Sequence, residues 1–510
     1  MARDEAHLDI TRSALPEVRD TGQMGDTSSG ESSPNHQPLG LDHIDIASKE
    51  ADVLSSESGA IRPLIPPDGD YGWVVVFSGF IVALLSSGLM RSTGVIYVAT
   101  LETFPDSTSR IVGWVPGVLA ILTFGMSPLS SVLSQRKGCR FVTIVGAFTS
   151  SFGLFLSYFA PNVTYLIFTA GVLLGIGSAL SMTASIIIVG HYFVKRRALA
   201  QSISLSGASV GVFLLPPLIK VCLEEFKLRG TYLILSGIVL HNCISGILFR
   251  PVEWYSKPVA GKNDDVKPLK NKPKYSTTNT PEEESCPTSN KVIGGVYQSF
   301  IKIFDLQLLK NPVFLCICLA YTFTSMAVPH AFFYIPPHAD AVGISKTDVN
   351  TLLLLTAFGD LAGRIFFGWI ADKNLLPRRY WYTLNITIGG AAVLTVTLAH
   401  DFVTHAACGV VYGIGSGAWY CLTPVLLADY HGNEKLGPTI SLARLFQGFS
   451  NLLVPLVAGN LYHYTGEYLA VFAFFGSTML FGALITLLLP LAVKYDERSV
   501  ILKGKENNSV

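Results

Sequence analysis

Twelve stretches of this chain are each long and apolar enough to cross a bilayer as a helix, and that pattern limits what the chain can fold into. A spanning helix needs about 20 mostly apolar residues, because lipid offers nothing to satisfy an open backbone. The stretches lie at about 72–99, 111–134, 141–160, 163–190, 199–221 and 230–249, then 312–336, 349–371, 380–400, 404–428, 438–461 and 468–493. Composition agrees: 50% of residues are hydrophobic and only 14% charged, where a soluble domain has about a quarter charged. The expected class is an all-α polytopic membrane protein.

Polar segments divide the run. Residues 1–65 hold 12 acids against 5 bases and no apolar core of signal-peptide length, so they read as a disordered cytosolic tail. Residues 251–310 contain "KNDDVKPLKNKPKYSTTNTPEEES" and read as a cytosolic linker. The expected layout is therefore a tail over 1–65, a six-helix half over 66–250, the linker over 251–310, a second six-helix half over 311–493, and a C-terminal tail over 494–510.

Orientation follows from Lys and Arg near the membrane. Arg136, Lys137 and Arg140 follow the second stretch, Lys195–Arg197 the fourth, and Lys373, Arg378 and Arg379 the eighth. The alternate loops carry acids instead, among them Glu102, Asp106, Glu224, Glu225 and Asp348. Every basic loop falls on one side, which predicts cytosolic termini for a multi-pass protein in contact with lipid throughout; the plasma membrane is its expected location.

The two halves echo each other. "QSISLSGASVG" follows the fourth stretch and "PTISLARLFQG" the tenth, and basic loops recur at matching places. Two six-helix halves of this kind mark the major facilitator fold of 12 transmembrane helices, with a substrate site near the midplane between them. "GVLLGIGSALSMTAS", "SGASVG" and "YGIGSGAW" read as packing seams of small residues.

Other function classes find little support. A net charge of +1 argues against a nucleic-acid partner, which requires a basic face. The 8 Cys are scattered and form no CxxC pair, so neither a metal site nor a disulfide framework is expected, and no cofactor. No nucleophile–base pair or phosphate loop suggests an enzyme. A non-transporting sensor or scaffold signalling through its tails stays open.

Ionisable residues inside spans carry the functional expectations, because their burial is costly. Asp360 and Arg364 lie near the middle of the eighth stretch, in "LLLLTAFGDLAGRIFFGWIAD". Their i,i+4 spacing puts them on one face, able to pair. A self-neutralising structural pair is one reading. The other is an anion site: the guanidinium fork matches a carboxylate, so Asp360 and an anionic substrate compete for Arg364, and a proton on Asp360 releases it. Arg91, about 19 residues into the first stretch, is a second candidate anion contact toward the outer end. His330, in "MAVPHAFFYIPPHA", titrates near neutral pH in its free form and is a weaker candidate, as is Ser416. Arg444 is expected to snorkel to the cytosolic interface. Asp372, Lys373 and Arg140 are expected in salt bridges at helix ends.

Several of these segments are similar to one family. "PPDGDYGWVVV" at 66–76 resembles the lead-in to the first helix of the monocarboxylate transporter family (solute carrier family 16), through Asp68, Gly69, Tyr71, Gly72 and Trp73. "YFVKRRALAQSISLSGASVG", "GDLAGRIFFGWIAD" and "LADYHGNEKLGPTISLARLFQG" are similar to its signatures, and the resemblance covers about 66–250 and 312–490. It implies a carboxylate transporter with cytosolic ends. Its lactate and pyruvate carriers move the anion with a proton, using a Lys in the first helix and the Asp/Arg pair of the eighth. The pair falls on Asp360 and Arg364, and the Lys position on Arg91.

That last match is a departure. Arg does not deprotonate in proteins, so Arg91 attracts a carboxylate but cannot relay a proton, and proton coupling rests on Asp360 alone or is absent. Asp70 and Ser202 also depart from the signature. Other members carry aromatic amino acids, creatine or carnitine, so a pH-independent carrier of a larger or zwitterionic solute is the alternative expectation. Some members need a single-span immunoglobulin-like partner to reach the surface.

Overall fold

The computed structural model describes residues 64–65, 67–255, 257–258 and 306–496. The expected tails and the linker over 251–310 lie largely outside the described residues. Apart from a two-residue antiparallel pairing of Leu64–Ile65 with Lys257–Pro258, the described chain is helical. Its helices are α1 (Gly72–Arg91), α2 (Thr93–Thr103), α3 (Ser109–Gly125), α4 (Ser127–Lys137), α5 (Cys139–Ser157) and α6 (Val163–Tyr192). They continue as α7 (Arg197–Leu240), α8 (Asn242–Leu248), α9 (Pro312–Ala341), α10 (Lys346–Ala371), α11 (Arg378–Val396), α12 (Phe402–His431), α13 (Leu436–Thr465) and α14 (Tyr468–Leu487).

Among the described residues nine helices are long and apolar enough to cross a membrane, and α3–α4, bent by 44°, makes a tenth. One of the nine is the 52-residue run Arg197–Leu248. At 1.5 Å per residue it would be about 78 Å long, far beyond the roughly 30 Å of a hydrocarbon core. Its backbone breaks at Lys227 (φ 58°, ψ −178°), next to Glu224 and Glu225, so it supplies two spans. The remaining stretch is α11, whose Arg378, Arg379 and Asn385 lower its mean hydropathy. Each of the twelve expected stretches thus corresponds to a helix or a bent helix pair, consistent with the expected count.

Two breaks were not expected. The first stretch divides at Ser92, whose Oγ donates to the Gly88 carbonyl at 2.8 Å, so Arg91 is the last residue of α1. The second divides at Met126, where Pro128 near the start of α4 has no N–H to give and crowds the residue before it.

The bundle has an apolar exterior and a partly polar interior. Phe77, Phe148, Phe358 and Leu456 are exposed, while Ser78, Thr183, Ser185, Ser209 and Thr439 are buried. Hydroxyls bridge neighbouring helices, as where Ser130 Oγ donates to Leu180 O at 2.9 Å and Ser151 Oγ to Ser236 O at 2.8 Å. Such contacts hold helices together where lipid supplies no hydrophobic drive.

Two seams position the interior charges. A Cβ on Gly207 of α7 would lie 2.0 Å from Phe80 O of α1, and one on Gly417 of α12 would lie 2.2 Å from Asp360 O of α10. Only glycine permits either approach. "YGIGSGAW" is therefore a contact face: Gly413 and Gly417 meet α10, and Gly415 meets Gly389 of α11.

The lead-in at 67–76 ties α1 to other helix ends. Asp68 Oδ1 accepts from the backbone N–H of Val194 at 2.7 Å and Lys195 at 2.8 Å. Tyr71 donates to Leu248 O at 2.9 Å, and Trp73 meets Phe193 edge-on at 5.2 Å.

Gly417→Ala is expected to destabilise the purified protein by about 1–3 kcal/mol, the usual range for overpacking. Gly237→Ala is the control: its new methyl meets nothing within 4 Å, and a helix-interior glycine costs about 0.5–1 kcal/mol relative to alanine. Melting in detergent should therefore fall for the first variant and hold or rise for the second. Equal melting temperatures would refute the seam.

Candidate functional site

The spacing of Asp360 and Arg364 places both on one face of α10, and the structure pairs them. Arg364 Nε donates to Asp360 Oδ2 at 3.0 Å and Nη2 to Oδ1 at 3.2 Å, a two-pronged contact. Arg364 Nη1 donates to Leu205 O of α7 at 3.3 Å, and its Cζ lies 5.3 Å from the Tyr420 ring centre. Its donors are already engaged and it is only 1% exposed.

Arg91 joins from α1. Its Nη1 lies 3.7 Å from Asp360 Oδ2, and its Cζ lies 5.9 Å from the Phe332 ring and 6.0 Å from that of Tyr420. Its side chain is 19% exposed, against 2% for Arg364, so Arg91 is the guanidinium more open to an arriving anion. Ser209 Oγ of α7 donates to Asp360 Oδ2 at 2.5 Å. One carboxylate is thus held by two arginines and a serine from three helices.

Beside this cluster is a cavity of about 1140 Å³, counting its open mouth. Arg91 and Arg364 line it, and Asp360 stands behind them. Helices α1, α3, α6 and α7 contribute lining residues on one side and α9, α10, α12 and α13 on the other. The walls are aromatic where Phe124, Tyr321, Phe332 and Tyr420 face in.

The other expected site residues fall elsewhere. His330 is half-buried on α9 with its ring 6.5 Å from Phe475, and does not line the cavity, although its neighbour Pro329 does. Ser416 is buried on α12, where its Oγ donates to Gly413 O at 3.2 Å; it does not line the cavity either. Arg444 does not snorkel. It is buried at 6% exposure, lines the cavity, and places its Cζ 5.2 Å from the Phe124 ring. Sequence reading missed the inward turn of Arg444 and the parts played by Ser209 and Tyr420. An arginine inside the apolar run "TISLARLFQGFSN" was the available signal for the first.

A second polar cluster closes one end of the bundle. Asp372, 12 residues after Asp360 and so about 18 Å further along the helix axis, caps α10. It accepts from the backbone N–H of Ala198 at 3.2 Å and Leu199 at 2.8 Å, at the start of α7. Arg378 bridges Asp372 at 2.7 Å and Asp429 at 2.8 Å. Arg197 reaches Asp429 at 3.5 Å and also bonds Asn433. Burial raises the Asp372 carboxyl above its ordinary value, against hydrogen bonds from Leu199 and Arg378. Of the other expected helix-end charges, Lys373 lies over the Trp369 ring at 5.0 Å.

Comparison with known proteins agrees with this architecture. The Major Facilitator Superfamily profile matches residues 73–338 and 313–507. Monocarboxylate transporter 12 of Xenopus laevis is 30% identical over 82% of this chain and 89% of its own length. Monocarboxylate transporter 2 of Homo sapiens is 28% identical over 87% of this chain and 90% of its own. Among solved structures, the proton:xylose symporter XylE bound to 6-bromo-6-deoxy-D-glucose superposes with a TM-score of 0.60, covering 82% of this chain and 95% of that one; at 14% identity it speaks for the fold alone. The chain is a multi-pass membrane transporter and belongs to the monocarboxylate transporter family of the Major Facilitator Superfamily.

Proposed function

We propose that this transporter carries monocarboxylates of the lactate and pyruvate kind across the plasma membrane by alternating access, coupled to a proton on Asp360. The observation that carries the reading is the shared carboxylate: Asp360 occupies Arg364 on two prongs and holds Arg91 at 3.7 Å, at the wall of a cavity lined from both sides. A substrate carboxylate matches the same guanidinium geometry. It reaches Arg91 first, then competes with Asp360 for Arg364. A proton on Asp360 removes the competing charge and lets the substrate take over the fork. The names of the relatives support the substrate class.

The basic loops set the orientation, with both termini in the cytosol. The Asp372–Arg378–Asp429–Arg197 cluster then lies at the cytosolic end, and its contacts must part for the cavity to open there.

A second reading has its own support. An arginine, unlike a lysine, serves poorly as a proton relay, and the cavity wall carries five aromatic side chains, Phe124, Tyr321, Phe332, Phe333 and Tyr420. Both features suit a larger or zwitterionic solute carried without a proton.

Labelled lactate or pyruvate uptake, measured against external pH in a transporter-poor cell, separates the two. Uptake should rise as external pH falls, and Asp360→Asn should abolish that rise. No uptake of any monocarboxylate would end the proposal; a retained acid response in the variant would move the coupling group elsewhere.

The closing cluster has a separate test. Asp429→Asn removes the partner of both Arg197 and Arg378, so the cytosolic end should open more often. In a background with native cysteines replaced by Ser, a Leu427→Cys probe on the cavity wall should react several-fold faster with an impermeant maleimide applied to inside-out vesicles. An unchanged rate would remove this cluster from gating.

A further inference from the structure

Arg444 has no part in the reading above, yet it lines the same cavity as Arg91 and Arg364. It is 94% buried by the 6% exposure noted above. Its Nε makes no hydrogen bond, and among the described residues no carboxylate lies within 4.0 Å of its guanidinium. Phe124 offers a ring face at 5.2 Å, which gives some attraction but no counter-charge. Arg91 and Arg364, by contrast, share Asp360.

The cavity therefore holds three guanidinium groups against one carboxylate. None of the three gives up its proton, so ionised Asp360 leaves a surplus of two positive charges. A buried arginine without a partner is costly in lipid. A single substrate carboxylate at Arg91 and Arg364 would still leave Arg444 bare. The wall around it is equipped for an anion. Gln447 and Asn451 follow Arg444 at i+3 and i+7 on the same face of α13, and both line the cavity. Gln447 Nε2 is buried with no acceptor, while its Oε1 accepts from the Tyr321 hydroxyl at 2.7 Å. A donor amide and a free guanidinium thus face one space from one helix.

We infer that the cavity accepts a dianion, with one carboxylate at Arg91 and Arg364 and the second at Arg444 and Gln447; the preferred substrate class is short dicarboxylates. This rests on the reading that Arg91 and Arg364 receive a substrate carboxylate, and adds a second subsite to it. Monocarboxylates occupy the first subsite only and bind more weakly.

The test uses the full chain in proteoliposomes with labelled malonate, succinate and glutarate beside labelled lactate and pyruvate. At least one dicarboxylate should be taken up, or should block lactate uptake, at roughly tenfold lower concentration than unlabelled lactate does. Arg444→Gln should lower the preference for that dicarboxylate over lactate about tenfold, and Arg444→Lys, which keeps the charge, should restore part of it. Reconstituted protein is quantified for each variant, and competition in the unmodified chain decides the matter if Arg444→Gln does not fold. Lactate or pyruvate uptake with no dicarboxylate carried or competing would overturn the second subsite and leave the monocarboxylate reading standing. An equal fall for both classes in Arg444→Gln would also overturn it. Absence of uptake for every carboxylate would overturn both.

Discussion

A carboxylate buried between two guanidinium groups persists only while all three groups stay in place. Desolvating any one of them costs several kcal/mol, and the return comes from close, well-directed contacts. Asp360 has them: two prongs to Arg364, a longer contact to Arg91, and a hydroxyl from Ser209. Those partners come from α1, α7 and α10. Close glycine approaches at α1–α7, where Gly207 meets Phe80 O, and at α7–α10, where Gly368 meets Ser202 and Ala198, are what bring the helices near enough. Packing and charge here are one constraint, since loosening a seam strands a charge.

The same helices carry both the charge cluster and the closing cluster. Helix α7 provides Ser209 and Leu205 to the first, and the N–H groups of Ala198 and Leu199 to the second. Helix α10 provides Asp360 to one and Asp372 to the other. Under the proposed exchange of Asp360 for a substrate carboxylate, what α7 and α10 share at mid-bundle changes. Any resulting shift between these two stiff helices is felt about 18 Å away, where they meet again. A two-state link between site and gate needs such shared elements.

Much of this was legible in the sequence, and the gaps have physical causes. Segment lengths and their apolar content revealed the spans. The i,i+4 spacing in an apolar run revealed Asp360 with Arg364, because helical geometry alone makes neighbours of them. Arg91 stood out as a charge within a span, but its contact with Asp360 joins residues far apart in the chain and depends on packing. The inward turn of Arg444 was missed because it lies near the start of its span, where a long side chain can also reach the interface; Gln447 and Asn451 at i+3 and i+7 share its face and were the unused signal for its rotation. His330 and Ser416 were selected for their chemistry, and chemistry does not say which neighbour a side chain faces. Ser209 passed as a packing residue, which it also is.

Arg91, where the family resemblance implies a lysine, then has a consequence beyond affinity. A lysine in a buried site can release its proton when desolvated, so it can help balance charge through a transport cycle. Three arginines cannot. The charge of this cavity can therefore change by only two routes: a proton on Asp360, or the arrival of anionic solute. With one carboxylate against three fixed positive charges, the empty site is cationic and favours anions before any specific contact is made. It also disfavours a cationic solute, or a zwitterion whose positive end must lie near Arg444. The zwitterionic reading must therefore place that end against the aromatic faces, while a solute with two anionic ends meets no such conflict.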